Sequence, residues 1–206
     1  MSQYFEIHTV NPQMRLIKQA VEIINRGGVI VYPTDSSYAL GCHLGDKNAL
    51  EKLRHIRRID EKHNLTLVCN DLSEIATYAK IQNTDYRMLK SLTPGPYTFI
   101  LNATHEVPRR LMHPKRRTIG IRVVDHPVVQ ALLEELGQPL MSCTLIMPGE
   151  ELPVTDAEDI RAVLEHQVDL IIDGGHCGHE PTTVIRLNEG TPELRRQGKG
   201  RDHGLD

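Results

Sequence analysis

The sequence of 206 residues has no tryptophan and only two phenylalanines. Proteins that bind single-stranded nucleic acids without sequence preference stack the bases on aromatic side chains, so a binding surface of that kind is largely excluded. No apolar run approaches the ~20 residues that a membrane-spanning helix needs. Residues 1–10 also lack the apolar segment of a secretory signal peptide. We therefore expect a cytoplasmic protein that does not associate with membranes.

Paired cysteines are also missing. The four cysteines, Cys42, Cys69, Cys143 and Cys177, are widely separated and form no Cys-x-x-Cys motif, a pattern that predicts free thiols in a reducing compartment. His176, Cys177 and His179 share one loop, but their spacing matches no common zinc site, and we predict no metal. The glycine motifs of P-loop and Rossmann proteins and the order of a Ser-His-Asp triad are absent as well.

Short apolar runs alternate with segments of helical periodicity along the chain. Asp46, Asp125 and Thr155 or Asp156 are predicted N-caps, and Asn11-Pro12 is predicted to start the first helix. Helices are predicted at 12–26, 46–58, 71–78, 84–92, 127–136 and 156–166, and strands at 29–32, 65–69, 97–103, 118–124, 140–145, 168–172 and 182–187. This alternation predicts a single-domain α/β fold, in which helices pack on an open, twisted, mixed β-sheet.

The net charge of −3 conceals clusters of basic residues. Acidic residues lie mostly in other segments, so a nearly neutral protein can still present one basic face. The basic residues fall into three groups, which are Arg54 to Arg58, Arg109 to Arg117 and Arg186 to Arg201.

The segment Pro33–Gly41 follows the apolar run Val29–Tyr32 and is predicted to be a polar loop at the end of a buried strand. It contains four hydroxyl groups and one carboxylate, which suit a polar ligand. Thr34 has an alternative role, since a hydroxyl in such a loop often bonds its own backbone.

Several separated motifs of this chain occur together in one known family. They are Pro33–Gly41, Pro94-Gly95-Pro96-Tyr97-Thr98, Ile119–Pro127, Asp173-Gly174-Gly175, Thr182-Thr183-Val184 and Arg195-Arg196-Gln197-Gly198. With these motifs the chain resembles the YrdC/YciO-type family, above all its YciO branch. The resemblance covers residues 14–200, the predicted YrdC-like domain, and leaves 201–206 as a short polar tail.

The best understood members of that family are threonylcarbamoyl-AMP synthases. The resemblance implies a fold with a concave basic surface and a reaction that joins L-threonine, bicarbonate and ATP, with release of pyrophosphate. The product supplies a modification of an adenosine in certain tRNAs. ATP with Mg²⁺ is then expected as a substrate, and no permanently bound cofactor is expected.

Candidate ligand-binding residues follow from these motifs. A guanidinium matches a carboxylate in a planar, bidentate manner, so Arg122 is the candidate for the amino-acid carboxylate. Its alternative is an outward-facing strand arginine paired with an acid. The remaining candidates are Thr34, Tyr38 and Thr183 for the amino-acid substrate and Arg57, Ser142 and Arg196 for the nucleotide.

Two motifs of the synthases are altered in this chain. Synthases carry a Lys-x-Arg pair and a Ser-x-Asn motif, whereas this chain has Arg57 followed by Ile59, and Ser142 followed by Thr144. Loss of one charge-assisted contact costs on the order of 1.5 to 3 kcal/mol. We therefore predict a nucleotide- and RNA-binding protein with weak or lost synthase activity, leaning to nucleotidyltransferase-type synthesis or to hydrolysis of threonylcarbamoyl-AMP.

The alternative is a non-enzymatic module that binds double-stranded RNA or tRNA. A-form RNA is recognised mainly through its shape and its phosphates, and such recognition needs cations rather than aromatic side chains. The predicted RNA-binding residues are Arg54, Arg58, Arg110, Lys115, Arg116 and Arg117.

Overall fold

The computed structural model describes residues 1–188 and 190–202. Within them lie six α-helices, ten β-strands and one 3₁₀ turn at Arg109–Leu111. The helices are α1 (Met14–Asn25), α2 (Lys47–Arg57), α3 (Leu72–Tyr78), α4 (Asn83–Leu92), α5 (Pro127–Leu136) and α6 (Ala157–Leu164). The strands are β1 (Gln3–Glu6), β2 (Ile30–Tyr32), β3 (Ala39–His43), β4 (Thr66–Val68), β5 (Tyr97–Asn102), β6 (Thr118–Arg122), β7 (Leu140–Thr144), β8 (Leu170–Asp173), β9 (Thr183–Asn188) and β10 (Thr191–Arg196).

All ten strands form one open mixed sheet in the order β1-β8-β2-β3-β7-β4-β6-β5-β9-β10. The pairs β1/β8, β2/β8, β4/β6 and β5/β9 are parallel, and the pairs β2/β3, β3/β7, β4/β7, β5/β6 and β9/β10 are antiparallel. The predicted α/β fold with a single mixed sheet is confirmed. Since β1 pairs with β8, the sheet also includes residues that precede position 14, where the predicted domain begins.

Two apolar cores lie on opposite faces of the sheet. Helices α1 and α5 cover one face, where residues such as Ile17 and Leu132 pack on Ile30 and Leu140. The other face is covered by α2, α3, α4 and α6. Because side chains of a strand alternate between faces, a strand that is covered by an apolar core on both faces is expected to be apolar at successive positions. Strand β2 meets this expectation, since all three of its residues are buried.

Side chains at helix starts explain most of the helix boundaries. The carboxylate of Asp46 accepts a hydrogen bond from the Ala49 amide at 2.9 Å, and Asp156 accepts from Glu158 at 2.9 Å. Each satisfies an amide that has no partner within its helix. Both predicted caps are confirmed.

The predicted cap at Asp125 is wrong. Helix α5 is capped by His126, whose ring Nδ1 accepts a hydrogen bond from the Val128 amide at 3.1 Å. The backbone amide of Asp125 instead donates to the carboxylate of Asp35 at 2.8 Å. Histidine is an infrequent N-cap, which explains why the sequence pattern favoured its neighbour.

Three strands and one helix start were not predicted correctly. Strands β1 and β10 lie at the two edges of the sheet, and β10 carries a mostly exposed polar sequence without strong strand character. Strand β3 begins at Ala39, inside the segment that was predicted to be a loop. Helix α1 begins at Met14 with Gln13 as its N-cap, so Pro12 precedes the helix and does not occupy its first position.

The cap at His126 predicts a pH dependence of stability. Burial lowers the pKa of His126, so protonation takes place more readily in the unfolded chain. The free energy of unfolding should therefore fall as the pH drops through the ordinary histidine pKa of about 6.5. The variant His126→Asn keeps an acceptor at the N-cap but does not titrate. Urea unfolding at pH 7 and pH 5 should show a decline that is smaller by about 1 kcal/mol in the variant, the typical value of one N-cap.

The exposed His8 provides the control for this experiment. His8→Asn should leave the decline between the two pH values unchanged. An equal decline in His126→Asn and in the unmodified protein would contradict the assignment of the cap.

Candidate functional site

The α1/α5 face of the sheet is open over strands β4, β5, β6, β7 and β9, and small or polar side chains line it there. The strand register places Ser142 beside Thr66, and Thr66 beside Gly120. The row continues through Ile100 to Arg186. Apart from Thr183, the intervening residues of these strands are apolar and pack beneath the helices of the opposite face. Alternation along the strands thus builds a concave polar surface on an apolar support.

The larger part of this surface, here called the outer cleft, has a volume of about 490 Å³. Six arginine and lysine side chains and His63 line it, and no aspartate or glutamate does among the described residues. These cations are Arg57, Lys62, Arg116, Arg186, Arg195 and Arg196. Such a surface is suited to a ligand with several negative charges.

Two of the predicted nucleotide-binding residues line the outer cleft and are held by backbone carbonyls. Arg57, in the last turn of α2, donates from Nη1 to the carbonyl of Ile146 at 2.6 Å. Arg196, at the end of β10, donates from Nε and Nη2 to the carbonyl of Thr182 at 3.1 and 2.9 Å. Neither is paired with a carboxylate in the described part of the chain, so their charges remain uncompensated within the cleft.

A smaller space, here called the inner recess, adjoins the outer cleft. It measures about 30 Å³, room for about one water molecule. Because the two spaces share several lining residues, a larger ligand in the recess would extend into the cleft. The recess is lined by Tyr32, Thr34, Ser36, Ser37, Ala39, Thr66, Val68, Thr98, Arg122, Ser142, Cys143, Thr144 and Thr182.

Arg122 lies at the end of β6, lines the recess and is 8% exposed. Its Nη2 donates to the carboxylate of Asp35 in a buried ion pair, and its Nη1 donates to the Ser36 hydroxyl at 3.2 Å. The arginine is therefore paired with an acid, but it points into the recess and not toward solvent. Its Nε is buried and has no hydrogen-bond partner among the described residues.

Thr34 lines the recess and also holds the loop together. Its hydroxyl donates to the carbonyl of Ser37 at 2.6 Å and accepts from the amides of Ser36 and Ser37 at 3.1 Å. This is the local turn interaction that was the alternative role for this residue. The loop is thus fixed by its own hydrogen bonds before any ligand arrives.

Ser142, the third predicted nucleotide-binding residue, lies at the back of the recess. It donates to the carbonyl of Leu40 at 3.0 Å and accepts from the hydroxyl of Tyr32 at 2.5 Å. Because the single hydroxyl proton of Ser142 is donated to Leu40, the phenol of Tyr32 is the donor in this pair. Ser142 therefore links β7 to β2 and β3.

Tyr38 and Thr183 do not line the recess or the outer cleft. Each is one residue out of phase with the cleft-facing positions, so its side chain lies on the opposite face of the sheet. The Tyr38 hydroxyl bonds the backbone of Gly174 and Gly175. The Thr183 hydroxyl donates to the carbonyl of Gly200 at 2.6 Å and accepts from the Gly198 amide at 3.0 Å.

The two glycines bound by Thr183 lie against neighbouring groups with no room for a side chain. A Cβ atom at Gly198 would come within 2.3 Å of the carbonyl oxygen of Pro181, and one at Gly200 within 2.5 Å of the Tyr97 ring. Residues 198–200, which follow β10, are therefore packed into the fold.

The predicted RNA-binding residues fall into two groups. Arg54 donates a hydrogen bond to the backbone carbonyl of Arg110 at 3.0 Å, and the Arg110 side chain donates to the carbonyl of Gly45 at 2.7 Å. These two bonds connect α2 and the residues just before it to the basic loop. Arg58, Lys115, Arg116 and Arg117 are exposed. Arg116 also lines the outer cleft.

The sequence analysis missed several residues that line the cleft and the recess. Alternation with apolar neighbours identifies Thr66 and Thr98, while Thr182 is the cleft-facing member of the pair Thr182-Thr183. Lys62 and His63 follow α2 in a polar segment without periodicity, so no pattern in the sequence indicated them.

The two altered motif positions differ in their surroundings. Thr144 lines both the outer cleft and the recess. Ile59 packs against the core beside α2 and does not line the cleft. Within the described residues, no group of three His, Cys, Asp or Glu side chains is arranged to hold a metal ion, and no helix is long and apolar enough to cross a membrane.

Comparisons with known proteins give one consistent result. A sequence model of the Sua5/YciO/YrdC family, described as "Telomere recombination", matches residues 22–198. YciO of Escherichia coli is 57% identical over 200 residues, 97% of each chain, and its crystal structure superimposes with a TM-score of 0.94 over 98% of both chains.

More distant relatives have names that specify an activity or a ligand. A threonylcarbamoyl-AMP synthase of Vibrio vulnificus is 30% identical over 187 residues, which cover 88% of this chain and 98% of the synthase. The structure of P. abyssi Sua5 complexed with L-threonine is 25% identical, with a TM-score of 0.87 over 96% of this chain and 58% of Sua5. On the family match and these identities, the chain belongs to the Sua5/YciO/YrdC family.

Proposed function

We propose that this protein binds an adenylate in the outer cleft and a threonine-like amino-acid group that reaches from the outer cleft into the inner recess, since the recess alone has room for about one water molecule. In this proposal it serves tRNA threonylcarbamoyladenosine modification, with synthase activity that is weak or lost. The observation that carries the proposal is the contrast in charge between the two adjoining spaces.

The outer cleft is suited to phosphates. It is lined by six cationic side chains and by no aspartate or glutamate among the described residues, and within the described chain only Arg195 of the six is in an ion pair, with Glu193 at 2.8 Å. Standing negative charge on phosphates is stabilised by such preorganised cations. Mg²⁺ prefers carboxylate and phosphate oxygens, so the ion would enter bound to the triphosphate of ATP and not to side chains of this cleft.

The inner recess is suited to an amino acid. Asp35 offsets the charge of Arg122, so this end of the site carries little net charge. An amino-acid zwitterion carries one positive and one negative charge, as the pair of Arg122 and Asp35 does. It therefore fits there better than a simple anion. Hydroxyl groups of Ser36, Thr98 and Thr182 line the same space and offer partners for the hydroxyl of a threonine-like side chain.

The relatives support the choice of these ligands. The Vibrio vulnificus relative is a threonylcarbamoyl-AMP synthase, and the structure of the Sua5 relative is a complex with L-threonine. The two matches cover 88% and 96% of this chain.

Weak turnover is proposed because of the two altered positions. Ile59 supplies no cation where the synthases have the second residue of their Lys-x-Arg pair, and Thr144 cannot offer the amide of an asparagine. Arg57, Lys62 and Arg196 still line the cleft, so the protein can still bind the nucleotide. The triphosphate of ATP would be positioned less well for the reaction. An enzyme that hydrolyses threonylcarbamoyl-AMP fits the same cleft.

Amino-acid binding is tested at Arg122. Lysine keeps the charge but lacks the buried Nε–H that Arg122 leaves without a partner among the described residues, so Arg122→Lys should weaken binding of L-threonine by about tenfold to hundredfold, the equivalent of one charge-assisted contact. AMP binding should change little, because the outer cleft is intact. Calorimetric titration with each ligand separately provides the measurement.

Arg87→Lys is the matched control, since Arg87 is an exposed residue of α4. Thermal unfolding of both variants separates loss of binding from loss of fold. If the unmodified protein does not bind L-threonine, or if Arg122→Lys binds it equally well, the assignment of the recess is wrong.

Synthase activity is tested by incorporation of radiolabelled bicarbonate in the presence of L-threonine, ATP and Mg²⁺. We expect at least a tenfold lower rate than that of the Vibrio vulnificus synthase under the same conditions, which corresponds to about 1.4 kcal/mol in the barrier. Equal rates would contradict the proposal that turnover is weak, while leaving the ligand assignments in place.

A second candidate function is a non-enzymatic module for tRNA or double-stranded RNA. It is favoured by Arg58, Lys115 and Arg117, which are exposed and, among the described residues, have no carboxylate partner in an ion pair. Cations of this kind suit the phosphates along an RNA helix.

The RNA function predicts a salt-dependent effect at Lys115. Lys115→Glu should weaken tRNA binding, and the slope of log affinity against log salt should become shallower by about one unit for the lost phosphate contact. Lys18→Glu on α1 is the matched control, because Lys18 is also exposed but lies outside the basic groups. Equal slopes for the two variants would count against this surface.

A further inference from the structure

A second concave space lies beside the outer cleft, between the end of α3 and the loop that connects β5 to β6. This space, here called the side pocket, has a volume of about 900 Å³. It shares only Arg116 with the outer cleft. Its lining residues are Thr77, Lys80, Asn102, Ala103, Thr104, His105, Val107, Arg109, Met112, His113, Pro114, Arg116 and Arg117.

Hydrogen bonds between separate segments fix the walls of the side pocket. The Lys80 amide donates to the Asn102 carbonyl at 2.9 Å, and the Ala103 amide donates to the Arg117 carbonyl at 3.0 Å. The Thr104 hydroxyl donates to the Thr77 carbonyl at 2.7 Å. The space is therefore preorganised, which lowers the entropic cost of binding a ligand.

The charge of the side pocket is positive. Lys80, Arg109, Arg116 and Arg117 line it, and no aspartate or glutamate does among the described residues. The nearest acid in sequence is Glu106, whose carboxylate lies 3.1 Å from the exposed ring of His105. No side-chain hydrogen bond or ion pair within the described chain engages Lys80 or Arg109, so both remain available to a ligand.

His113 adds a hydrogen-bond donor to the side pocket. Its Nδ1 accepts hydrogen bonds from the amides of Arg116 at 3.1 Å and Lys115 at 3.3 Å. In the neutral ring the proton must therefore be on Nε2, which is left as a donor. The turn that carries the arginines thus also fixes the ring of this histidine.

The side pocket also has apolar walls, formed by Val107, Met112 and Pro114. An inorganic anion would make no use of them, whereas a base or ribose would bury apolar surface against them. We propose that the side pocket is a second phosphate-binding site, which takes a nucleoside phosphate, either free or as one nucleotide of an RNA strand.

The inference does not depend on the proposed function of the outer cleft. Arg57 and Arg196 line the cleft but not the side pocket, and Lys80 and Arg109 line the side pocket but not the cleft. Substitutions can therefore address each space separately.

Photolabelling with 8-azido-ADP, followed by peptide mapping, tests the side pocket directly. We expect label in residues 103–117. The double variant Lys80→Glu/Arg109→Glu should reduce that label at least tenfold while leaving label in the peptides of the outer cleft. Arg15→Glu/Lys18→Glu on α1, with the same change in net charge, should label like the unmodified protein.

Absence of label from 103–117, or label there that Lys80→Glu/Arg109→Glu leaves unchanged, would overturn the proposal. Loss of label from the cleft peptides alone would instead count against the proposed function. A short RNA added as competitor identifies the source of the nucleotide: displacement of the label assigns the pocket to RNA, and no displacement assigns it to free nucleotide. Either result supports the proposal that the side pocket binds a nucleoside phosphate.

Discussion

The buried ion pair between Arg122 and Asp35 joins the polar loop to the sheet, and the site depends on it. The Asp35 carboxylate also accepts a hydrogen bond from the backbone amide of Asp125. One carboxylate therefore fixes both the loop and the segment that leads into α5. Taking two charges out of water is costly unless each has further hydrogen bonds. The Ser36 hydroxyl and the Asp125 amide supply them. Removing either charge would leave the other buried and unpaired, a loss of about 3 to 5 kcal/mol.

Because side chains alternate along five strands, one face of the sheet carries the apolar core and the other lines the cleft. One set of side chains is apolar and packs under α2, α3, α4 and α6. The other set is small, polar or cationic and lines the cleft. Strands, unlike loops, fix side-chain direction strictly, so the positions of Arg122 and Thr66 are set by the same backbone that carries the core.

The sequence predicted most of the helices and central strands, because their apolar periodicity is a local property. It failed where an outcome depends on tertiary position. Strand β10 is stabilised by pairing with β9 and not by apolar residues of its own. Arg122 was identified from its motif, but its partner Asp35 lies 87 positions away in the sequence, a distance that no pattern bridges.

Where two neighbouring residues were both candidates, the face of the sheet on which each side chain lies decides which of them lines the site. Thr182 and Thr183 are chemically identical, yet one lines the cleft and the other holds the segment after β10. The motif pointed to the pair, and only the register of β9 with β5 separates them. Tyr38 illustrates the same point, since Ala39 faces the recess and Tyr38 faces the opposite core.

Close packing of Gly198 and Gly200 has a consequence for how this chain tolerates change. Positions in polar segments outside the helices and strands are normally permissive. Here a side chain at 198 would collide with two backbone carbonyls, and backbone carbonyls cannot rotate away as a side chain can. Substitution at these positions should therefore be as poorly tolerated as substitution in the middle of the core, and random mutagenesis of the protein would find few functional variants there.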